Sequence, residues 1–308
     1  MTSIANAQPV EGDASSLAAE IPPRRSYSAE SSGRRGLRAL YRNKLAMIGA
    51  AVLVFWVIVA LTAPVIAPYN PIKQDVYNRL KAPSGEHFFG SDDMGRDVFS
   101  RVLYGARISI PTGVVVTIIA LLIGGVVGAV SAYIGGVFDL IVMRIADVTL
   151  SFPAIVLALA IASVLGPSLR NTMLAMTLVW WPEYARLMRS EVLKVKQSEY
   201  VIAARCLGVP NVRILFRHIV PNAISSSIVK ASLDAGNVIL FIAALSFIGL
   251  GVVPPTAEWG AMIADGRLKF YNWWLTTFPG LAMLSVVLAL NLLGDGVRDA
   301  FDPHEVSG

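Results

Sequence analysis

The 308-residue chain holds a single cysteine, Cys206, and three well-separated histidines, His87, His218 and His304. One thiol excludes an internal disulfide framework, and its place in a polar stretch suits a reduced thiol or a small packing residue. With no H-E-x-x-H motif and no cysteine pair, the histidines make no case for a metal cluster. The phosphate-cradling pattern G-x-x-x-x-G-K-[ST] is also missing, which excludes nucleotide binding by that route. No motif sets a nucleophile beside a base, so an intramembrane enzyme finds no support. Charge is scarce too, at 15% of residues against about a quarter in soluble domains.

What the chain has instead is apolar length: 55% of its residues are hydrophobic. Runs free of any charge cover Leu45 to Ile72, Ile108 to Phe138, Val148 to Leu169 and Phe270 to Gly294. Each exceeds the roughly 20 residues a helix needs to cross the hydrocarbon. Asn171 to Pro182 is too short by itself and spans only if it continues through Glu183 and Arg186 to about Met188. Ala223 to Leu250 is long enough but carries Lys230 and Asp234. The expectation is an all-α polytopic membrane protein with six transmembrane helices. The net charge of +5 clusters beside these runs rather than in an aromatic-interleaved groove, so it reads as membrane topology and not as nucleic-acid binding.

Seven basic residues in the first 44, including Arg34, Arg35, Arg38, Arg42 and Lys44, hold the N-terminus in the cytoplasm, and six spans return the C-terminus to the same side. The basic stretch from Arg189 to Arg217 is then cytoplasmic as well. The stretch from about 68 to 107 becomes an extracytoplasmic loop, although it carries six Lys or Arg residues beside five acids. Residues 1–33, rich in Ala, Ser, Pro and Glu, cannot bury enough surface to offset their ordering entropy and read as a disordered cytoplasmic tail. Residues 34 to 44 read as a basic amphipathic start on the membrane surface, with Leu37, Leu40 and Tyr41 toward lipid. The six-helix core covers 34–303, and 304–308 form a C-terminal tail.

Between two apolar runs lies a polar, helix-turn-helix-like segment, EYVIAARCLGVPNVRILFRHIVPN, from Glu199 to Asn222. Gly208 fits a helix C′ position and Pro210 the opening turn of the next helix. Val212, Leu215, Phe216 and Ile219 share a stripe opposite Arg213 and Arg217. The small pair Ala203 and Ala204 allows close approach of another backbone, which suits a helix set in a partner's groove. A solvated loop with ordinary helix signals fits the same spacing.

Ala203, Ala204, Gly208, Ile219 and Pro221 resemble the cytoplasmic EAA loop of permease subunits in bacterial ABC importers, with Ile202 where that family has Glu. GSDDMGRDVFSRVLYGARISI (Gly90 to Ile110), PPTAEWGAMIADG (Pro254 to Gly266) and FPGLAMLSVVLALNLLGDGVRDAFDP (Phe278 to Pro303) are similar to the C-type permease of dipeptide, oligopeptide and nickel importers. The resemblance implies the type I ABC importer permease fold in the bacterial inner membrane, with a coupling loop at about 189–222 that includes Glu199, Arg213 and Arg217. It implies half of a translocation pathway, completed by a homologous second permease. Two cytoplasmic ATPase subunits would carry the ATP and Mg, none bound by this chain, and an extracytoplasmic binding protein would deliver short peptides. Nickel or another small solute such as glutathione is the alternative cargo. A stand-alone secondary transporter or channel is the alternative of another class; it needs broken helices and midplane carboxylates, and only Asp234 fits.

Lys230 and Asp234 lie one turn apart inside an apolar run, where charges face a bundle interior or an aqueous cavity. They either line the translocation path or form a structural ion pair. Gly124 and Gly128 make a GxxxG step that favours close helix packing. Glu258 and Trp259 follow two stiffening prolines, and a rigid aromatic beside a carboxylate is expected to contact the binding protein or the outer gate.

Overall fold

The computed structural model describes residues 43–301; the expectations for residues 1–42 and for the C-terminal tail fall outside them. Nine α-helices, with one short 3-10 helix at Val76–Asn78 between the first two, follow in order among the described residues: α1 (Lys44–Ile66), α2 (Val98–Ile134), α3 (Gly136–Leu150), α4 (Ala154–Leu165), α5 (Leu169–Lys196), α6 (Glu199–Cys206), α7 (Asn211–Phe247), α8 (Trp259–Gly266) and α9 (Trp274–Phe301). The short helices mark two ends of a bundle, called here the α6 end and the α8 end. Asn43 caps α1 by accepting from the Leu45 and Ala46 amides, and its Nδ2 donates to Asp299 Oδ2 at 2.9 Å, joining α1 to α9 at the α6 end. Asp97 caps α2 at the α8 end by accepting from the Ser100 amide.

Four helices, α1, α2, α7 and α9, are long and apolar enough to cross a membrane, and five if the bent pair α3 and α4 counts as one span. The expected straight span from Val148 to Leu169 is corrected: α3 and α4 meet at 93°. Pro153 disfavours helical backbone in the residue before it and offers no amide to continue the ladder, so the chain turns there. α5 does continue through Glu183 and Arg186, for 28 residues, although those charges keep it below the apolarity of the other four. α2 begins at Val98 rather than Ile108, so Val98 to Arg107, assigned above to a loop, form its first turns. Val54, Phe55, Leu61 and Val65 on α1 are exposed and leave an apolar outer surface that lipid covers.

Packing fixes the helices in three apolar clusters. One at the α8 end joins Trp56, Val102, Trp259, Trp274 and Val286. A second, in the middle, joins Val116, Met176, Trp180, Tyr184 and Val238. The third, at the α6 end, joins Met188, Val192, Val201, Ile214 and Ile219. The GxxxG step does pack helices: a Cβ on Gly124 would sit 2.7 Å from Tyr184 Cβ, and one on Gly128 would sit 2.8 Å from Ala185 Cα. α2 therefore lies with its backbone against α5.

Candidate functional site

α6 and the start of α7 form the two-helix segment expected from the sequence. The Val209 amide donates to the Ala204 carbonyl at 3.2 Å and the Gly208 amide to the Arg205 carbonyl at 2.9 Å, which is the Schellman ending of a helix. Gly208 has φ +75, and no atom lies within 4 Å of where its Cβ would be. It is there for its backbone conformation alone. Glu199 sits exposed in the first turn of α6, where a negative charge complements the helix dipole. Pro210 precedes the first helical residue of α7 by one position.

The apolar stripe differs from the expected one. Residues Ile214–Ile219 form a π-helical turn, one turn before Pro221, whose ring and missing amide disturb the ladder. The wider turn shifts the register. Ile214, Leu215 and Ile219 are buried against Val201 and Met188, whereas Val212 and Phe216 face out at 70% and 50% exposure. Leu207 is 82% exposed. Ile202, Ala203, Arg213, Arg217 and Pro221 are also exposed, and Ala204 is half-buried. The segment thus offers an uncovered apolar face edged with arginines.

Tyr133, near the end of α2, ties this segment to the bundle, and nothing in the sequence singled it out. Its hydroxyl donates to Asn211 Oδ1 at 2.7 Å. Lys196 Nζ and the Arg205 guanidinium lie 5.4 and 5.6 Å from its ring centroid. Lys196 also donates to the Ala132 and Tyr133 carbonyls, capping α2. One side chain therefore touches the end of α5, α6 and the start of α7.

Lys230 and Asp234 meet as expected at one turn, with Lys230 Nζ 2.9 Å from Asp234 Oδ2. The sequence did not show what α5 adds. Glu183 Oε2 lies 2.6 Å from Lys230 Nζ, and the Tyr184 hydroxyl donates to Asp234 Oδ2 at 2.8 Å. Asp234 is buried and Lys230 half-buried. The cluster is an interhelical link whose Glu183 edge is open to solvent. Nearer the α6 end, Arg189 grips Asp139 of α3.

At the α8 end Glu258 and Trp259, expected to contact the binding protein or the outer gate, are 2% and 0% exposed, so neither side chain lies on the surface for a docked protein to reach. Glu258 caps α8, accepting from the Gly260 and Ala261 amides, and receives Ser109 Oγ at 3.2 Å. Trp259 Nε1 donates to the Val102 carbonyl at 3.0 Å beside Gly105, where a Cβ would come within 2.6 Å of the indole. Both residues latch α8 onto α2. A charged network closes the same end: Arg96 pairs with Asp92 at 2.6 Å and reaches Asp265 at 3.7 Å, and Lys269 pairs with Asp93 at 2.9 Å. Burial, followed by the charge of Asp93, pushes the Asp265 carboxyl up. Burial also acts upward on Asp93, but the Lys269 hydrogen bond and charge, with Arg96, outweigh it and hold that carboxyl down. Arg101 donates to the carbonyls of Pro71 and Pro255 at 3.1 Å each, binding the 68–97 loop to the segment before α8.

A helical bundle with exposed apolar flanks, charge buried inside an apolar helix and an uncovered two-helix segment defines a polytopic membrane protein. The chain belongs to the family described as binding-protein-dependent transport system inner membrane component, whose model matches residues 120–306. Residues 31–83 match the N-terminal TM domain of oligopeptide transport permease C. The dipeptide transport system permease protein DppC of Alkalihalophilus pseudofirmus is 42% identical over 92% of this chain and 93% of its own length. DppC of Escherichia coli is 45% identical over 85% and 90%, and the oligopeptide transport system permease protein OppC of Bacillus subtilis 42% identical over 85% and 86%. A chain from a solved structure titled "Inward facing conformations of the MetNI methionine ABC transporter" superposes with a TM-score of 0.54 at 16% identity, covering 66% of this chain and 97% of that one. The shared fold is that of ABC importer permeases, and the chain is a multi-pass inner-membrane permease.

Proposed function

We propose that the chain is one of two homologous permeases of an importer for short peptides, with two ATPase subunits on the α6 end and a binding protein on the α8 end. The α6 end is then cytoplasmic and both termini with it, and ATP and Mg belong to the ATPases. The peptide cargo follows the names of the relatives, which are dipeptide and oligopeptide permeases. The observation that carries the coupling role is the uncovered face of Leu207, Val212 and Phe216, apolar surface of the kind that marks a docking site. Glu199, Ala203, Ala204, Gly208, Arg213, Arg217, Ile219 and Pro221 shape or edge that face. Closure of the ATPases would push α6, and Tyr133 would pass the push to α2. The Lys230 and Asp234 cluster, open at Glu183, lies beside the path and meets the charged termini of the cargo.

The test is co-purification of the complete complex carrying Leu207→Asp with Phe216→Asp. Loss of the ATPase chains, with the permease pair still inserted and assembled, is the expected result. Retention of both ATPases and full uptake would move the docking face elsewhere.

A further inference from the structure

On α5 the charged side chains Glu183, Arg186 and Arg189 recur every third residue and so follow one side of the helix. Each meets an opposite charge on a neighbouring helix, but the pairs differ in closeness. Arg189 grips Asp139 through contacts of 2.6, 2.8 and 3.0 Å. Glu183 lies 2.6 Å from Lys230. Between these two links Arg186 reaches Asp147 only at 3.9 Å, with 58% and 51% of the two side chains exposed. An exposed pair at that distance is weak and opens at little cost. Arg144, one turn before Asp147 on α3, makes no ion pair among the described residues.

Asp139, Arg144, Asp147, Arg186 and Arg189 border an open pocket of about 520 Å³ whose wall includes Met143 and Ser190. That is the size of a small-molecule site. The lining carries three arginines against two aspartates, and Asp139 and Arg189 already satisfy each other. Arg144, Arg186 and Asp147 remain for a ligand, two cations beside one anion. Lipid chains do not solvate such charges, so they face water or protein. Guanidinium groups match a carboxylate or phosphate in geometry, and an aspartate suits an ammonium.

We propose that this pocket is a waiting site on the translocation path for a ligand with an anion and an ammonium a few bonds apart, with the anion on Arg144 and Arg186 and the ammonium on Asp147. The proposal rests on the importer reading above, under which the ligand is a short peptide held by its two termini. A zwitterionic lipid head group offers the same chemistry, and the experiment separates the two.

The full transporter, with both permeases, both ATPases and the binding protein, is placed in nanodiscs of phosphatidylglycerol alone and supplied with a diazirine-bearing dipeptide during ATP-driven turnover. On irradiation the label should map to residues 140–147 and 186–190, and excess dialanine should remove it. Arg186→Gln and Asp147→Asn should each lower labelling and uptake about tenfold, while assembly and basal ATP hydrolysis stay at the parental level. A dipeptide with an amidated C-terminus should lose labelling in the parent and be indifferent to Arg186→Gln. Label confined to other segments, unchanged by either variant, would overturn the site. Protection by added phosphatidylethanolamine but not by dialanine would reassign it to lipid, and cross-linking of an Asp147→Cys variant to the second permease at rest would make it a subunit interface. Absence of any dipeptide uptake by the parental complex would instead defeat the importer reading.

Discussion

Gly208 offers a clean perturbation, because the cost of replacing it comes from one source. Its φ of +75 lies in the left-handed region, and the space where a Cβ would project is empty. Gly208→Ala therefore adds no clash, only the left-handed backbone penalty of about 1–2 kcal/mol. That is a factor of roughly 5–30 in the population of the native turn. Gly208→Val should cost more, since branching at Cβ makes positive φ a genuine outlier. Gly208→Asn should cost least, because asparagine visits this conformation readily. If the turn sets the angle at which α6 and α7 meet the ATPases, ATPase affinity and coupled uptake should fall in the order Gly, Asn, Ala, Val. Membrane insertion should stay unchanged, as no transmembrane contact is touched. The assay is ATPase co-purification and uptake by the complete complex, with permease abundance measured in parallel. An asparagine variant as impaired as valine, or a valine variant that couples normally, would refute the reasoning.

Other outcomes can be checked alongside. With Cys206 replaced, a cysteine at Ser198 should be labelled only from the cytoplasm and one at Thr256 only from outside; the reverse pattern would invert the orientation. Gly128→Leu should lower permease abundance, since even a Cβ there meets the Ala185 backbone, and crowding of that kind costs about 1–3 kcal/mol or more. Trp259→Phe loses the bond to the Val102 carbonyl, about 1 kcal/mol, and should reduce thermal stability without altering ATPase binding. The raised Asp265 carboxyl favours folding on the acid side and loses that contribution as pH rises, so Asp265→Asn should raise stability at pH 7 and lose its advantage near pH 4. Asp93→Asn should do the opposite, destabilising at pH 7 and converging with the parent only in strong acid, and identical pH profiles for the two variants would refute the assignment.

Much of this was legible in the chain because membrane burial writes itself as the absence of charge. α1, α2, α7 and α9 fall on apolar runs, and Gly208 sits where its conformational freedom is needed. The bend between α3 and α4 was signalled only by Pro153, which a search for charge-free runs passes over, so the run read as one span. The π-helical turn before Pro221 moved Phe216 outward and Ile214 inward, a one-residue shift that a 3.6-residue period cannot reveal. Glu258 and Trp259 looked like surface anchors because sequence shows their neighbours along the chain. Their partners Ser109, Val102 and Gly105 lie about 150 residues away. The pairs of Glu183 with Lys230 and of Arg189 with Asp139 were hidden for the same reason.

The network at the α8 end also bears on the order in which the chain is made. Arg101 holds the carbonyls of Pro71 and Pro255 together, and Asp265 and Lys269 complete the charges of Arg96 and Asp93. The early loop thus takes part of its scaffold from residues synthesised far later. Until α8 leaves the ribosome, that loop has its ions partly unmatched and Trp259's notch at Gly105 is empty. A chain broken off before residue 254 would leave it half-built, without the Pro255 carbonyl, Asp265 and Lys269.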